Sequence, residues 1–191
     1  MAWGRNLLMR LFGRPKGLLG RLGGLMMARM NRDAAIEVIE LLGVRPDDSL
    51  LEIGFGPGVA IQLLVERVPG ARIAGVDPSL EMLAQASARN AAALRSRRVD
   101  LRHGVVDALP FAPQTFGKAL AINSLQVWPD PAAGLREIGR VLKPAGRIGL
   151  GFTANSGQPK AGVAAALAAA GFVDIQIVER PRLFCAIATK P

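Results

Sequence analysis

Apolar positions change period along this chain in a regular order. Ile36, Ile39 and Leu42 fall on one helical face, and Gly43 ends that pattern, predicting a helix over 34–42. A turn at Pro46-Asp47-Asp48 leads to a short apolar block at 49–53, which reads as a buried strand. The alternation then repeats. Helices are predicted over 59–68, stopped by Pro69-Gly70, and over the alanine-rich stretch 80–94. Two more follow, at 131–142, halted by Lys143-Pro144-Ala145-Gly146, and at 160–170, closed by Gly171. Strands are predicted at 72–76, 99–103, 116–122 and 147–152, and a final pair at 173–179 and 182–189. Strands alternating with helices imply a parallel sheet covered on both faces. The last two are joined only by a short link around Pro181, which forces them antiparallel.

Residues 1–32 break this rhythm. Arg5, Arg10, Arg14, Lys16, Arg21, Arg29 and Arg32 alternate there with Leu, Met and Phe, and no acid is present. The net charge of +9 is therefore concentrated in this stretch, and the remaining body is close to neutral. No apolar run approaches the roughly 18–20 residues that span a bilayer, and arginines interrupt it too often for a signal-peptide core. Leu18, Leu22, Leu25 and Met26 share a helical face flanked by Leu19 and Met30, so an amphipathic helix is expected, weakened by its glycines. We divide the chain into this basic, apolar segment (1–32), expected to act as a lid or to lie on a membrane surface, and one domain (33–191). Cys185 is the only cysteine; it sits in an apolar run and reads as core packing. A lone cysteine excludes an internal disulfide and fits a cytoplasmic compartment, and no Cys/His cluster offers a metal site.

The most informative stretch is Leu50-Leu51-Glu52-Ile53-Gly54-Phe55-Gly56-Pro57-Gly58-Val59. An apolar strand with one acid near its end runs into three alternate glycines and then a helix. Such a bend lets backbone approach a ligand where any Cβ would clash, with the N–H groups of the following helix pointing at the same place. A dinucleotide fingerprint would need glycine where Val59 stands, and the Lys-Ser/Thr of a phosphate-binding loop is missing. The plainer alternative is a glycine-rich turn without a ligand. Leu-Glu-Ile-Gly-x-Gly-x-Gly resembles the first motif of the class I, Rossmann-like S-adenosylmethionine-dependent methyltransferases. The closing antiparallel pair after five β-α units is also similar to that family. The resemblance spans about 33–190 and implies a three-layer α/β fold with a mostly parallel seven-stranded sheet whose last strand is antiparallel.

It further implies a cofactor, S-adenosylmethionine, and its contacts. Gly54, Phe55, Gly56 and Gly58 would form the bend, and Glu52 would help orient the methionyl ammonium. Asp77 would take the ribose hydroxyls, with Pro78 and Leu80 on the adenine side; its alternative is a solvated turn aspartate. Asp107 would accept from the adenine amine and the Ala108 N–H would meet a ring nitrogen, unless Asp107 merely caps a turn. Asn123 stands where the family turns a backbone carbonyl toward the ammonium.

Methyl transfer from an activated sulfonium asks mainly for alignment, so a general base is optional. His103 reads as structural, Ser124, Gln126 and Trp128 lie toward the acceptor side, and no catalytic base is nominated. Trp128 could stack on a substrate or simply pack. Asn123-Ser124-Leu125-Gln126 is not the Asn-Pro-Pro-Tyr motif of amine-directed nucleic-acid and protein methyltransferases, and aromatic side chains for base stacking are scarce. The expected acceptor is a small apolar or amphiphilic molecule, not nucleic acid. Two rivals remain: a non-catalytic nucleoside-binding relative, and a nicotinamide-dependent oxidoreductase.

Overall fold

Period-two alternation decides which layer each strand residue joins. Leu50, Leu120 and Ile122 point to one face of the central sheet, and Leu51, Ile53, Ala119 and Ala121 to the other. The computed structural model describes residues 31–191; apart from Asn31 and Arg32, the N-terminal segment lies outside the described residues. Helix α1 (31–42) is followed by β1 (Ser49–Ile53), α2 (Val59–Arg67), β2 (Arg72–Asp77), α3 (Leu80–Arg89), α4 (Ala91–Arg95) and β3 (Val99–His103). Then come β4 (Phe116–Ile122), α5 (Pro131–Val141), β5 (Leu142–Thr153), α6 (Val163–Ala169), β6 (Val173–Arg180) and β7 (Leu183–Thr189).

The seven strands lie in the order β3-β2-β1-β4-β5-β7-β6. Pairs from β3 to β5 are parallel, whereas β7 runs antiparallel to both neighbours. On one face, Val38 and Leu42 of α1, Ile61 and Leu64 of α2 and Met82 of α3 pack on Leu50 and Leu120. On the other, Leu135 and Ile138 of α5 and Leu167 of α6 pack on Leu51 and Ile148. A one-residue slip would expose these side chains, at about 1.5–3 kcal/mol for each buried leucine or isoleucine. Cys185 lies in this interior on β7, where burial pushes its thiol up to about 12. It is a packing residue, as expected.

Four elements differ from the sequence reading by more than one residue, the first being α1, which is already helical at Asn31 rather than from Ala34. The helix expected over 80–94 breaks at Asn90, whose amide donates to the carbonyls of Gly58 (3.1 Å) and Ala86 (3.0 Å). β5 starts at Leu142 rather than Arg147, because Lys143–Gly146 form an irregularity between the Phe116↔Leu142 and Lys118↔Arg147 pairs. α6 begins at Val163, after Gly162 in the left-handed region.

The chain moves outward from β1 to β2 and β3, then returns to place β4 on the other side of β1. At such a reversal the loops leaving neighbouring strands part, and a crevice opens beyond their carboxyl ends.

Candidate active site

The glycine bend stands at that crevice. Gly54, Gly56 and Gly58 have φ of 70°, 51° and 77°, in the left-handed region that glycine enters without strain. The Gly54 N–H donates to the Val76 carbonyl (2.7 Å), tying the bend to β2. At Gly54 space is limited as well: a Cβ there would lie 3.0 Å from Ser124 Cβ and closer still to its hydroxyl. Ser124 follows β4, so the loops on the two sides of the reversal touch at this point. Phe55 turns its ring into the interior, against Gly75 of β2. From α3, Arg89 Nε donates to the Pro57 carbonyl (2.8 Å) and Asn90 holds Gly58.

Two buried acids flank the bend. Asp77, ending β2, accepts from the N–H of Gly56 (2.9 Å) and of Ser79 (2.8 Å). Burial nevertheless raises its carboxyl pKa, outweighing those two bonds and the nearby His103. Glu52 is 2% exposed, and among the described residues its Oε2 has no hydrogen-bond partner. Burial, with the Asp77 carboxylate adding to it, raises the Glu52 pKa well above the usual range, against a hydrogen bond from the Ile61 N–H. An orphaned buried carboxylate oxygen is costly and calls for an explanation. A bound group carrying N–H donors or positive charge would supply one.

The loop after β3 joins this site through the Gly104 N–H, which donates to the Asp77 carbonyl (3.1 Å). Asp107 and Ala108 are exposed on it, and the Ala108 N–H makes only a long contact with the Val105 carbonyl (3.4 Å). His103 Nε2 lies 3.0 Å from the Pro78 carbonyl; a carbonyl can only accept, so this nitrogen carries the hydrogen and latches the turn.

Across the reversal, Asn123 has φ 48°. Its side chain accepts from the Thr153 N–H (2.8 Å) and donates to Thr153 Oγ1 (2.9 Å) and Asn31 Oδ1 (2.7 Å), joining β4, β5 and α1. Its carbonyl, expected to face a ligand, already accepts from Gln126 Nε2 (2.8 Å) and has one lone pair left. Of the two readings of Trp128, packing holds. The side chain is buried in the α5 face of the core and donates to Ser124 Oγ (2.8 Å).

The fold thus brings Glu52, the Gly54–Gly58 bend, Pro78 and Asp77 together, with Asn123 across the reversal and Asp107 and Ala108 on a tethered loop. The sequence reading missed Asn90 as a support of the bend and Ser79 as the cap of α3, where its Oγ accepts from the Met82 N–H (3.3 Å). Ser79 carried a signal, since serine after proline and before an apolar run marks a helix start. For Asn90 the only hint was a polar amide inside an alanine-rich run.

The family described as a methyltransferase domain matches residues 51–150, more than half of the chain. The uncharacterized methyltransferase YdaC of Bacillus subtilis is 31% identical over 187 residues, covering 89% of this chain and 98% of YdaC. The demethylmenaquinone methyltransferase of Corynebacterium kroppenstedtii is 39% identical over 107 residues, 56% of this chain and 42% of that one. In fold, the chain matches phosphoethanolamine N-methyltransferase 2 of Haemonchus contortus, solved with S-adenosyl-L-methionine. The TM-score is 0.77 at 16% identity, over 98% of this chain and 60% of that one.

Proposed function

The chain belongs to the class I S-adenosylmethionine-dependent methyltransferase family, and on that premise we propose which of its residues hold the cofactor and which acceptor it methylates. The residues fit the cofactor. A left-handed glycine bend, too close to Ser124 for a Cβ at Gly54, lies beside an orphaned, buried Glu52 oxygen, and that pairing carries the reading.

Asp77 takes the ribose hydroxyls, while its bonds from Gly56 and Ser79 keep the carboxylate aimed along the bend. Glu52 faces the methionyl ammonium, and the remaining lone pair of the Asn123 carbonyl serves the same group. Asp107 and the Ala108 N–H receive the adenine edge, with Pro78 beside it. When bound, the sulfonium supplies a methyl group already activated for transfer. The protein's own contribution is alignment and exclusion of water; no side chain is assigned as a base.

The acceptor is a small apolar or amphiphilic molecule. Three of the large apolar side chains exposed among the described residues (Leu80, Val105 and Val127) follow within a few residues of the carboxyl ends of β2, β3 and β4. The resemblance to a demethylmenaquinone methyltransferase and to a 2-methyl-6-phytyl-1,4-hydroquinone methyltransferase supports an acceptor of that kind. For residues 1–32 we propose a role in handling such an acceptor, as a lid or as a contact with anionic lipid.

Calorimetry of the full chain with S-adenosylhomocysteine tests the cofactor site; no heat of binding at millimolar ligand refutes it. Methyl release with hydroquinones bearing or lacking an isoprenoid tail tests the acceptor class, and a preference for the tail-free compounds counts against it. Equal co-sedimentation with anionic and neutral vesicles would end the lipid-contact reading.

A further inference from the structure

The loop 104–111 is held at both ends, and its second anchor is a helix with no assigned role. Glu137 and Arg140 of α5 grip its backbone. Glu137 Oε1 accepts from the Leu109 N–H (2.9 Å), and Arg140 donates to the carbonyls of Phe111 (2.9 Å) and Leu109 (3.1 Å). The two side chains also brace each other, Arg140 Nη2 and Nε donating to Glu137 Oε1 (2.7 Å) and Oε2 (2.8 Å). One turn earlier on α5, the absence of a side chain at Gly134 makes room for Trp128 and for Val106 of the loop, since a Cβ would sit 2.9 Å from Trp128 Cε3 and 3.0 Å from Val106 Cγ1. Val106 is buried there. Arg102 adds a bond to the Pro110 carbonyl (2.6 Å) and stands 4.5 Å from the Phe111 ring centroid.

The first anchor is the Gly104 N–H on the Asp77 carbonyl (3.1 Å). Between the anchors, Val105, Asp107 and Ala108 face solvent, and the Ala108 N–H is bonded at only 3.4 Å, the weak end of the range. A rigid frame therefore carries a crest whose polar groups remain available. As an ion pair alone, Glu137–Arg140 would matter little, because its partners are 18% and 36% exposed. The planar guanidinium matters more for its fork: it meets two backbone carbonyls and a carboxylate at once, which lysine cannot do.

Building on the cofactor reading above, we propose that Gly134, Glu137 and Arg140 are positioning residues for base recognition. Acting from α5 through the loop backbone, they set the Asp107 carboxylate and the Ala108 N–H where a 6-aminopurine is selected over a 6-oxopurine.

The test is calorimetry of the full chain with S-adenosylhomocysteine and S-inosylhomocysteine, which differ at the 6-position. A hydrogen bond to a charged acceptor is worth about tenfold in affinity, so the wild type prefers the adenosyl ligand by about that factor. Arg140→Met should reduce the ratio to about threefold or less. Glu137→Leu should do likewise, whereas Glu137→Gln, which keeps an acceptor for Leu109, retains the preference. Lys118→Met breaks the Lys118–Asp48 pair (2.6 Å) near the amino ends of β4 and β1, away from the crevice, and should lower the unfolding temperature with the ratio unchanged. The inference is overturned if the folded Arg140→Met and Glu137→Leu proteins keep the wild-type ratio, or if the wild type binds both ligands equally. Failure of the wild type to bind either one removes the cofactor reading itself, and this inference with it.

Discussion

Replacing Gly54 with alanine strikes the point where the two sides of the crevice meet, and its effect can be worked from two separable costs. At φ 70° an alanine sits in the left-handed region, at a cost of about 1 kcal/mol. The new methyl would also press on Ser124, 3.0 Å from its Cβ and nearer its hydroxyl, so Ser124 must shift. That hydroxyl receives the buried Trp128 N–H (2.8 Å), and leaving this donor unpaired costs about 1–3 kcal/mol. The total is about 2–4 kcal/mol, equivalent to a fall of about 5–15 °C in thermal midpoint for a chain of this size. Circular dichroism melting reads it directly. Adding Ser124→Gly removes the crowding but not the backbone cost. The two substitutions together should therefore destabilise by at least about 1 kcal/mol less than the sum of the singles. Affinity for S-adenosylhomocysteine should fall about tenfold or more in Gly54→Ala, because the Gly56 N–H moves with the bend. Strict additivity of the two substitutions, or a Gly54→Ala protein that melts and binds like the wild type, would refute this account of the crevice.

Asp77→Ala should weaken S-adenosylhomocysteine binding by at least about 1 kcal/mol in calorimetry; unchanged affinity refutes the ribose assignment. Glu52 has a folded-state pKa above its unfolded value of about 4.3, so the stability linked to it is present at lower pH and lost as pH rises through the raised value. In denaturant titrations, the stability of the wild type relative to Glu52→Gln should accordingly fall as pH rises above the usual carboxylate range, and the variant should bind the ligand less tightly. A relative stability that climbs with pH contradicts the assignment. Asn90→Ala removes two bonds to buried carbonyls while improving helix propensity, for a net loss of about 1–2 kcal/mol in urea unfolding. A loss within error of zero would mean that Asn90 does not hold the bend.

Local signals recovered every strand except the start of β5 to within a residue. β1, β3 and β4 match their predicted spans because apolar blocks bounded by glycine, proline or aspartate leave little choice. The glycine bend and the acid ending β2 were equally legible, since both depend on residue type and short spacing. Asn90 was not: its reason for breaking a helix is a carbonyl 32 residues away. The role of Trp128 stayed open for the same kind of reason. Its partner Ser124 is near in sequence, but the core face that buries its ring is assembled from β1, β4, β5 and α5.

By itself the amino-acid order determined the alternation of elements, the location of the bend and the family to which the chain belongs, because these are carried by periodicity and by residues a few positions apart. Only the folded chain decided that Ser124 crowds Gly54, that Asp77 reaches the Gly56 N–H, that Glu52 is left with an unpaired oxygen, and that Glu137 and Arg140 hold the loop after β3. Those relations follow from β4 settling beside β1 and from α5 packing on the opposite face to α2. Strand order brings together residues tens of positions apart, and nothing in a local pattern encodes which strand lies next to which.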